Sequence, residues 1–422
     1  MITSLYFKEM LVAEKVVTPL PLGNGVTHFS RNYTKMIIIK IQMGGYMYKV
    51  AFIDDGIMEG IQEVPEQIKK YRIKDGKIQE KKEKSSTFCL SHGTMCFWVF
   101  SKYVNDKEFI LYDIQILDEL TSSGDMGDLT IALQFCLDED VDLINMSLGK
   151  TNFINNESED ILKRLYDKGT IMVAAQNNSN QITYPACSSY VYGVTRDYVG
   201  ILKKDQFCYI GDKQTKIDII SHCEIADIES KYGITMGKQN SFSTPYISAL
   251  IYNELKKGGN QESILGYLKK NSVYSDRLDT WEYKIKSIPD WQENITTPVV
   301  EIDTKTKISQ KYFEELINIF RRKEFHAVGI WFGEERKEEY PYIFRYFVNK
   351  QEIESDIEII IKWVFNIARP DIIFIGQDHN ITSIDNIVDI VLIDGETSND
   401  KMLSVSGKSS KQISEMIISY FE

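Results

Sequence analysis

Five histidines occur in the chain, and one of them, His92, sits in Ser91-His92-Gly93-Thr94. An imidazole titrates near neutrality, so a histidine exposed at a helix start can act as a general base. Upstream, the apolar run 50–53 ends on Asp54-Asp55-Gly56. A carboxylate at the end of a buried parallel strand lies where α/β folds keep their functional groups. Downstream come Asn145-Met146-Ser147-Leu148-Gly149 and Gln176-Asn177-Asn178, each after an apolar run. A carboxamide at a strand end can donate to an oxygen that becomes negative during a reaction. Last is Asn240-Ser241-Phe242-Ser243-Thr244-Pro245. A serine at a helix N-terminus meets unpaired backbone N–H groups and the positive end of the helix dipole. Each block has an ordinary reading as well: a loop cap, an incidental histidine, a turn or an N-cap. Their chain order, Asp then His then Asn then Ser, is one in which a Ser-His-Asp triad occurs.

The elements around these blocks must bring them together. Apolar runs at 141–146 and 169–175 read as strands, and residues 128–139 and 158–168 have helical spacing. Such alternation indicates a parallel α/β sheet flanked by helices. A further strand is expected at 36–42. A long helix is expected over 244–257 with Pro245 in its first turn, and a shorter one over 261–271. Residues 64–85, dense in Lys and Glu, read as a solvated excursion. After residues 276–296, read as a linker, strands and helices alternate again. Strands are expected near 299–302, 326–332, 371–375, 388–393 and 402–405, with helices over 310–322, 352–368 and 409–421. Four parts follow: an N-terminal segment, 1–47; a catalytic domain, 48–275; the linker, 276–296; and a smaller C-terminal α/β domain, 297–422. The last carries no recognisable chemistry and is read as a binding element that docks a substrate or partner.

Composition narrows the function. The 422 residues are 43% hydrophobic and 26% charged, as in ordinary globular proteins. A net charge of −12 argues against a general nucleic-acid binder, which must neutralise phosphates. No apolar run approaches the ~20 residues needed to span a bilayer. The six cysteines include no C-x-x-C pair, and no signal-peptide pattern opens the chain, so a reducing cytoplasm is expected.

Taken together, the blocks resemble those of subtilases, the subtilisin-like serine proteases. The carrying residues are Ile53-Asp54-Asp55-Gly56, His92-Gly93-Thr94, Ile144 to Gly149, Val173 to Asn178, and Asn240 to Pro245, within residues 48–275. The resemblance implies Ser241 as nucleophile, His92 as general base and then acid, and Asp54 as the group orienting His92. It implies an oxyanion hole from Asn178 and the Ser241 backbone N–H, with Asn177 as the alternative donor. It implies that Ser147, Leu148 and Gly149 form an edge that pairs with an extended peptide or protein substrate. No cofactor and no metal ligand set is implied, nor a nucleic-acid or membrane partner. Gln239-Asn240 stand where the family usually has Gly-Thr, Asn177 stands where it has Gly, and Met95-Cys96-Phe97-Trp98 is bulkier than usual. These departures point to narrow specificity, such as leader removal from a modified precursor peptide.

Overall fold

The computed structural model describes residues 46–58, 64–81, 90–118, 123–151, 156–212, 217–237, 239–302, 309–333, 342–346, 356–377 and 386–422. Tyr48–Glu422 form one compact unit. The strand expected at 36–42 lies outside the described residues.

The first sheet has nine strands: β1 (Tyr48–Asp54), β2 (Ile68–Lys74), β3 (Lys77–Glu80), β4 (Phe109–Gln115), β5 (Leu143–Met146), β7 (Ile171–Ala175), β9 (Tyr192–Arg196), β10 (Gln206–Asp212) and β11 (Ile217–His222). A separate ribbon pairs β6 (Lys150–Thr151) with β8 (Thr183–Tyr184). The nine run in the order β10-β11-β9-β7-β5-β1-β4-β2-β3. All pairs are parallel except β10–β11 and β2–β3 at the two edges. After β1 the chain builds β2, β3 and β4 on one side and then crosses to β5 on the other, which makes the end of β1 a switch point of the topology.

Alternation along β1 sends Val50 and Phe52 to one face and Ala51 and Ile53 to the other. On the first face Phe52 meets Phe97 and Phe100 of α1 (His92–Tyr103) edge-on, at centroid distances of 5.5 and 5.3 Å. The same face buries α5 (Asn240–Lys256). The opposite face is covered by α2 (Met126–Asp138) and α3 (Asn156–Lys168). Truncating one of these buried aromatics would cost about 3–5 kcal/mol. Two shorter helices, α4 (Ala226–Tyr232) and α6 (Gln261–Asn271), flank α5 in sequence.

Two expectations need correction. Residues 64–85 are not simply a solvated excursion: β2 and β3 extend the sheet there, and Tyr71, Ile73 and Ile78 pack on its core. Their many lysines suit an edge, where charge discourages pairing with another chain. Helix α5 begins at Asn240, so Pro245 lies inside it rather than in its first turn.

Residues 276–286 hold a short 3-10 turn (Asp276–Asp279) and α7 (Trp281–Lys286). Leu278 and Tyr283 bury against Leu202, Cys208 and Ile220. A second, wholly parallel sheet then follows, built of β12 (Val299–Ile302), β13 (Ala327–Phe332), β14 (Ile343–Tyr346), β15 (Ile372–Gln377), β16 (Ile390–Ile393) and β17 (Met402–Ser404). Its order is β14-β13-β15-β12-β16-β17. Helices α8 (Ser309–Arg322) and α10 (Ser410–Phe421) cover one face and α9 (Ile357–Ala368) the other. The two sheets meet at the loop after β7. The Ile182 N–H donates to Ile367 O at 2.8 Å, Asn180 Nδ2 to Ser287 Oγ at 3.2 Å, and Ser179 Oγ to Asp290 Oδ2 at 3.2 Å.

Candidate active site

The ends of β1, β5 and β7 lie side by side, since Ile53 is level with Met146 and Met146 with Ala174. Asp54 ends β1 and is buried. His92 opens α1, behind the N-cap Ser91. Its Nδ1 lies 2.9 and 3.1 Å from the two Asp54 carboxylate oxygens. That contact places the proton on Nδ1 and leaves Nε2 as the acceptor of the neutral ring.

Asp55, which sequence reasoning passed over, holds the helix start in place. Its two oxygens accept from His92 N (2.9 Å) and Gly93 N (2.7 Å). No acidic residue occurs in the first turn of α1, so Asp55 supplies from outside the negative charge that a helix N-terminus favours. The signal was the doubled aspartate, but its order does not disclose which carboxylate meets the ring. Gly93 is required by close approach: a Cβ there would lie 2.7 Å from Gly56 O and 3.1 Å from Asp54 Cβ. Ser91 Oγ to Gly56 O (2.6 Å) and Met58 N to Thr94 Oγ1 (2.7 Å) complete the junction.

Ser241 is the second residue of α5 and is only 6% exposed. Pro245 has no N–H, so it cannot donate to the carbonyl four residues back, which belongs to Ser241. Ser147 Oγ (3.0 Å) and Cys96 Sγ (3.5 Å) donate to that carbonyl instead. Cys96 Sγ also lies 3.8 Å from both nitrogens of His92, one helical turn earlier. Cys96 therefore sits beneath the imidazole and the serine together, a role its sequence position did not disclose. The His92 ring also packs on Phe242, with centroids 5.7 Å apart. The Ser241 hydroxyl donates to Gln239 Oε1 at 3.3 Å.

The two adjacent asparagines are used differently. Asn177 turns its side chain into its own loop, accepting from Gln181 N (2.7 Å) and donating to Gln181 Oε1 (3.3 Å). Asn178 Oδ1 accepts at 3.0 Å from the backbone N–H of Asn240, the residue preceding Ser241. Asn240 is fully buried; its Nδ2 donates to Asn177 O (2.6 Å), and its Oδ1 accepts from Arg196 N (2.9 Å) and Thr195 Oγ1 (3.3 Å). Asn145, weighed from sequence as an oxyanion donor, is buried between Ser147 and Ser248 and serves the packing of α5. Ser147 directs its hydroxyl inward, while Leu148 is half-buried and Gly149 exposed. A Cβ on Gly149 would meet Thr183 Cγ2 at 2.3 Å. Residues 147–149 lie between β5 and β6, outside both ladders.

Burial opposes a cation on His92, but Cys96 and Asp54 together outweigh it and raise the His92 pKa above its ordinary value. Full burial pushes the Cys96 thiol up. Burial and the neighbouring Asp54 charge raise the Asp55 pKa, against the two backbone N–H bonds it receives. Donor atoms of Asp54, His92 and Cys96 lie within 4.8 Å of one another. A cation there would have to displace the Nδ1 proton that Asp54 binds and deprotonate a fully buried thiol.

No family model matches the chain. Among curated proteins, Minor extracellular protease Epr of Bacillus subtilis (strain 168) is 31% identical over 88 residues, covering 20% of this chain and 13% of that protein. The chain therefore aligns with only a small part of that relative's length. Among solved structures, S41 Psychrophilic Protease matches at 17% identity and a TM-score of 0.42, over 52% of this chain and 81% of its own. A lanthipeptide protease matches at 13% identity and 0.41, over 55% and 81%. Sphericase matches at 16% identity and 0.39, over 53% and 83%. The chain is thus similar to subtilisin-like proteases, and its larger sheet has a parallel core flanked by helices.

Proposed function

We propose that the chain is a serine endopeptidase working through Ser241, His92 and Asp54. One observation carries the proposal: Asp54 fixes Nδ1 of a His92 whose ring shares the Cys96 thiol with the Ser241 carbonyl. In this reading Ser241 Oγ attacks the scissile carbonyl carbon, and its proton passes to His92 Nε2. The oxyanion is received by Asn178 Nδ2 and the Ser241 N–H, a first-turn amide for which the helix has no acceptor. Collapse expels the amine, which takes the proton from His92, and water then hydrolyses the acyl-enzyme by the same route. Residues 147–149, free of both ladders, would pair with the substrate backbone.

The covered Ser241 and the side chain of Gln239 support narrow specificity, of the kind needed to remove a leader from a modified precursor peptide. Among the described residues no two cysteines are joined in a disulfide, which suits a reducing cytoplasm as the working compartment. Among the described residues no helix is long and apolar enough to cross a membrane. The C-terminal sheet, which presents no comparable cluster of chemical groups among its described residues, would dock the substrate or a partner. Mapping new peptide termini in a proteome treated with wild type or Ser241→Ala tests the proposal. A shared sequence context at sites cut only by the wild type is the expected result, and identical termini from both would contradict it.

A second reading rests on the Ser241–Gln239 hydrogen bond, which occupies the hydroxyl proton that His92 would take. On that reading the fold is a peptide-binding scaffold with weak or lost hydrolysis. It predicts peptide binding unchanged by Ser241→Ala, with no cleavage product by mass spectrometry.

A further inference from the structure

Gln239 immediately precedes α5 and has φ −127° and ψ 151°, an extended conformation open to any residue. It occupies the N-cap position, yet its side chain makes no capping hydrogen bond to the helix. A glutamine there gives the helix little: Ser, Thr, Asp and Asn are the residues that reach the orphan N–H groups. Its carboxamide oxygen instead accepts the Ser241 hydroxyl at 3.3 Å. A serine hydroxyl has one proton to donate. While that proton points at Gln239, it is not aimed at His92 Nε2, the acceptor that Asp54 leaves on the ring. Gln239 is itself half-buried, beside a Ser241 that is only 6% exposed.

We infer that Gln239 is a specificity-determining residue that holds the Ser241 hydroxyl in a resting position. A substrate must displace its carboxamide before the proton turns to His92. Two consequences follow for reactivity. Small acyl donors or phosphonates that make few contacts react slowly, because nothing offsets the loss of the Gln239 bond. A peptide long enough to bind along residues 147–149 supplies that offset, so the residue discriminates by substrate length and fit. The inference rests on Ser241 being the nucleophile, and its test is chosen to separate the two.

The test is the second-order rate of labelling of the full chain by a small alkyl fluorophosphonate. The Ser241 Oγ–P bond forms, the P–F bond breaks, fluoride leaves, and the hydroxyl proton passes to His92. Wild type, Gln239→Ala, Gln239→Glu and Ser241→Ala are compared, with melting temperatures confirming that each is folded. Gln239→Ala is expected to label about three- to tenfold faster, the factor that one hydrogen bond of ordinary strength represents. Gln239→Glu is expected to label more slowly than wild type, because a carboxylate accepts the hydroxyl more strongly. A merely structural glutamine would not move the two variants in opposite directions. Labelling of wild type at Ser241 with an equal or slower rate for Gln239→Ala would overturn the inference and leave the nucleophile standing. No labelling of any folded variant would remove the Ser241 reading, and the role of Gln239 with it.

Discussion

At the carboxyl ends of β1, β5 and β7 the chain places Asp54, Ser147 and, two and three residues past the strand, Asn177 and Asn178. Among the described residues at the carboxyl ends of β12, β15 and β16 it places Ile302, Gln377 and Ile393, with Asp394 following β16. Both sheets have a parallel core covered on each face by helices. The first meets helix N-termini that carry His92 and Ser241, and its strand-end groups bond to those helices. In the second, Gln377 Nε2 donates to Glu301 Oε1 within the sheet. Architecture alone therefore assigns no chemistry; polar side chains aimed from strand ends at helix starts do.

The contrast can be broken at four places. Replacing Asp54 with Asn removes the charge that holds the His92 imidazolium and permits the wrong ring tautomer. Steady-state kinetics should show kcat lower by about 10⁴-fold, with KM little changed. Glu301→Gln, a similar exchange in the second sheet, should leave both constants where they are. If the two substitutions act alike, the assignment of chemistry to the first sheet fails.

Asn178→Ala should lower kcat by about 10²- to 10³-fold, as loss of one oxyanion donor does. Asn177→Ala should act mainly on stability, because that side chain closes its own loop. Reversed effects would move the donor to Asn177.

Acid–base behaviour should divide the two halves by sign. Burial pushes the Asp113 carboxyl up to about 6, even with Lys70 and the Ile57 amide beside it. Its contribution to stability is full below the unfolded-state value near 4 and is lost as pH rises through about 6. Burial, assisted by the Arg321 cation, pulls His326 down to about 4. Its contribution is present above about 6.5 and is lost as pH falls towards 4. Each effect is on the order of 2–3 kcal/mol. Thermal melts across pH 4–7 should show Asp113→Asn gaining relative stability as pH rises and His326→Gln losing it. The same slope in both variants would refute the assignment.

The smallest effect is expected where the halves touch. Ser287 accepts from Asn180 Nδ2, Asn180 Oδ1 accepts from Thr195, and Thr195 also bonds Asn240 next to Ser241. Ser287→Ala should lower kcat only a few-fold, about the cost of one hydrogen bond. A loss as large as that of Asn178→Ala would show the C-terminal half to be part of the catalytic apparatus rather than a support.

Much of this was readable from residues alone, for identifiable reasons. The run ending at Asp54 is apolar on both faces, as a central parallel strand must be. The second sheet was legible in the same way, its strands being short apolar runs between helices of strong periodicity, except for the edge strand β14 (Ile343–Tyr346), which was not expected. The β2–β3 ribbon was not, since its lysines at an exposed edge mimic a loop. The start of α5 was placed late because Pro245 looks like a first-turn residue. The chain tolerates it deeper because Ser147 and Cys96 satisfy the Ser241 carbonyl. The roles of Asp55, Cys96 and Gln239 depend on side-chain directions across three elements, which no local pattern encodes.

The central claim is that Ser241 is a nucleophile activated by His92. It is tested most directly by peptide-mapped mass spectrometry of the chain after exposure to a fluorophosphonate. One adduct per chain is predicted, on the peptide that contains Ser241, absent after Ser241→Ala and strongly slowed after His92→Ala. An adduct on another residue, or none on the folded wild type, would contradict it.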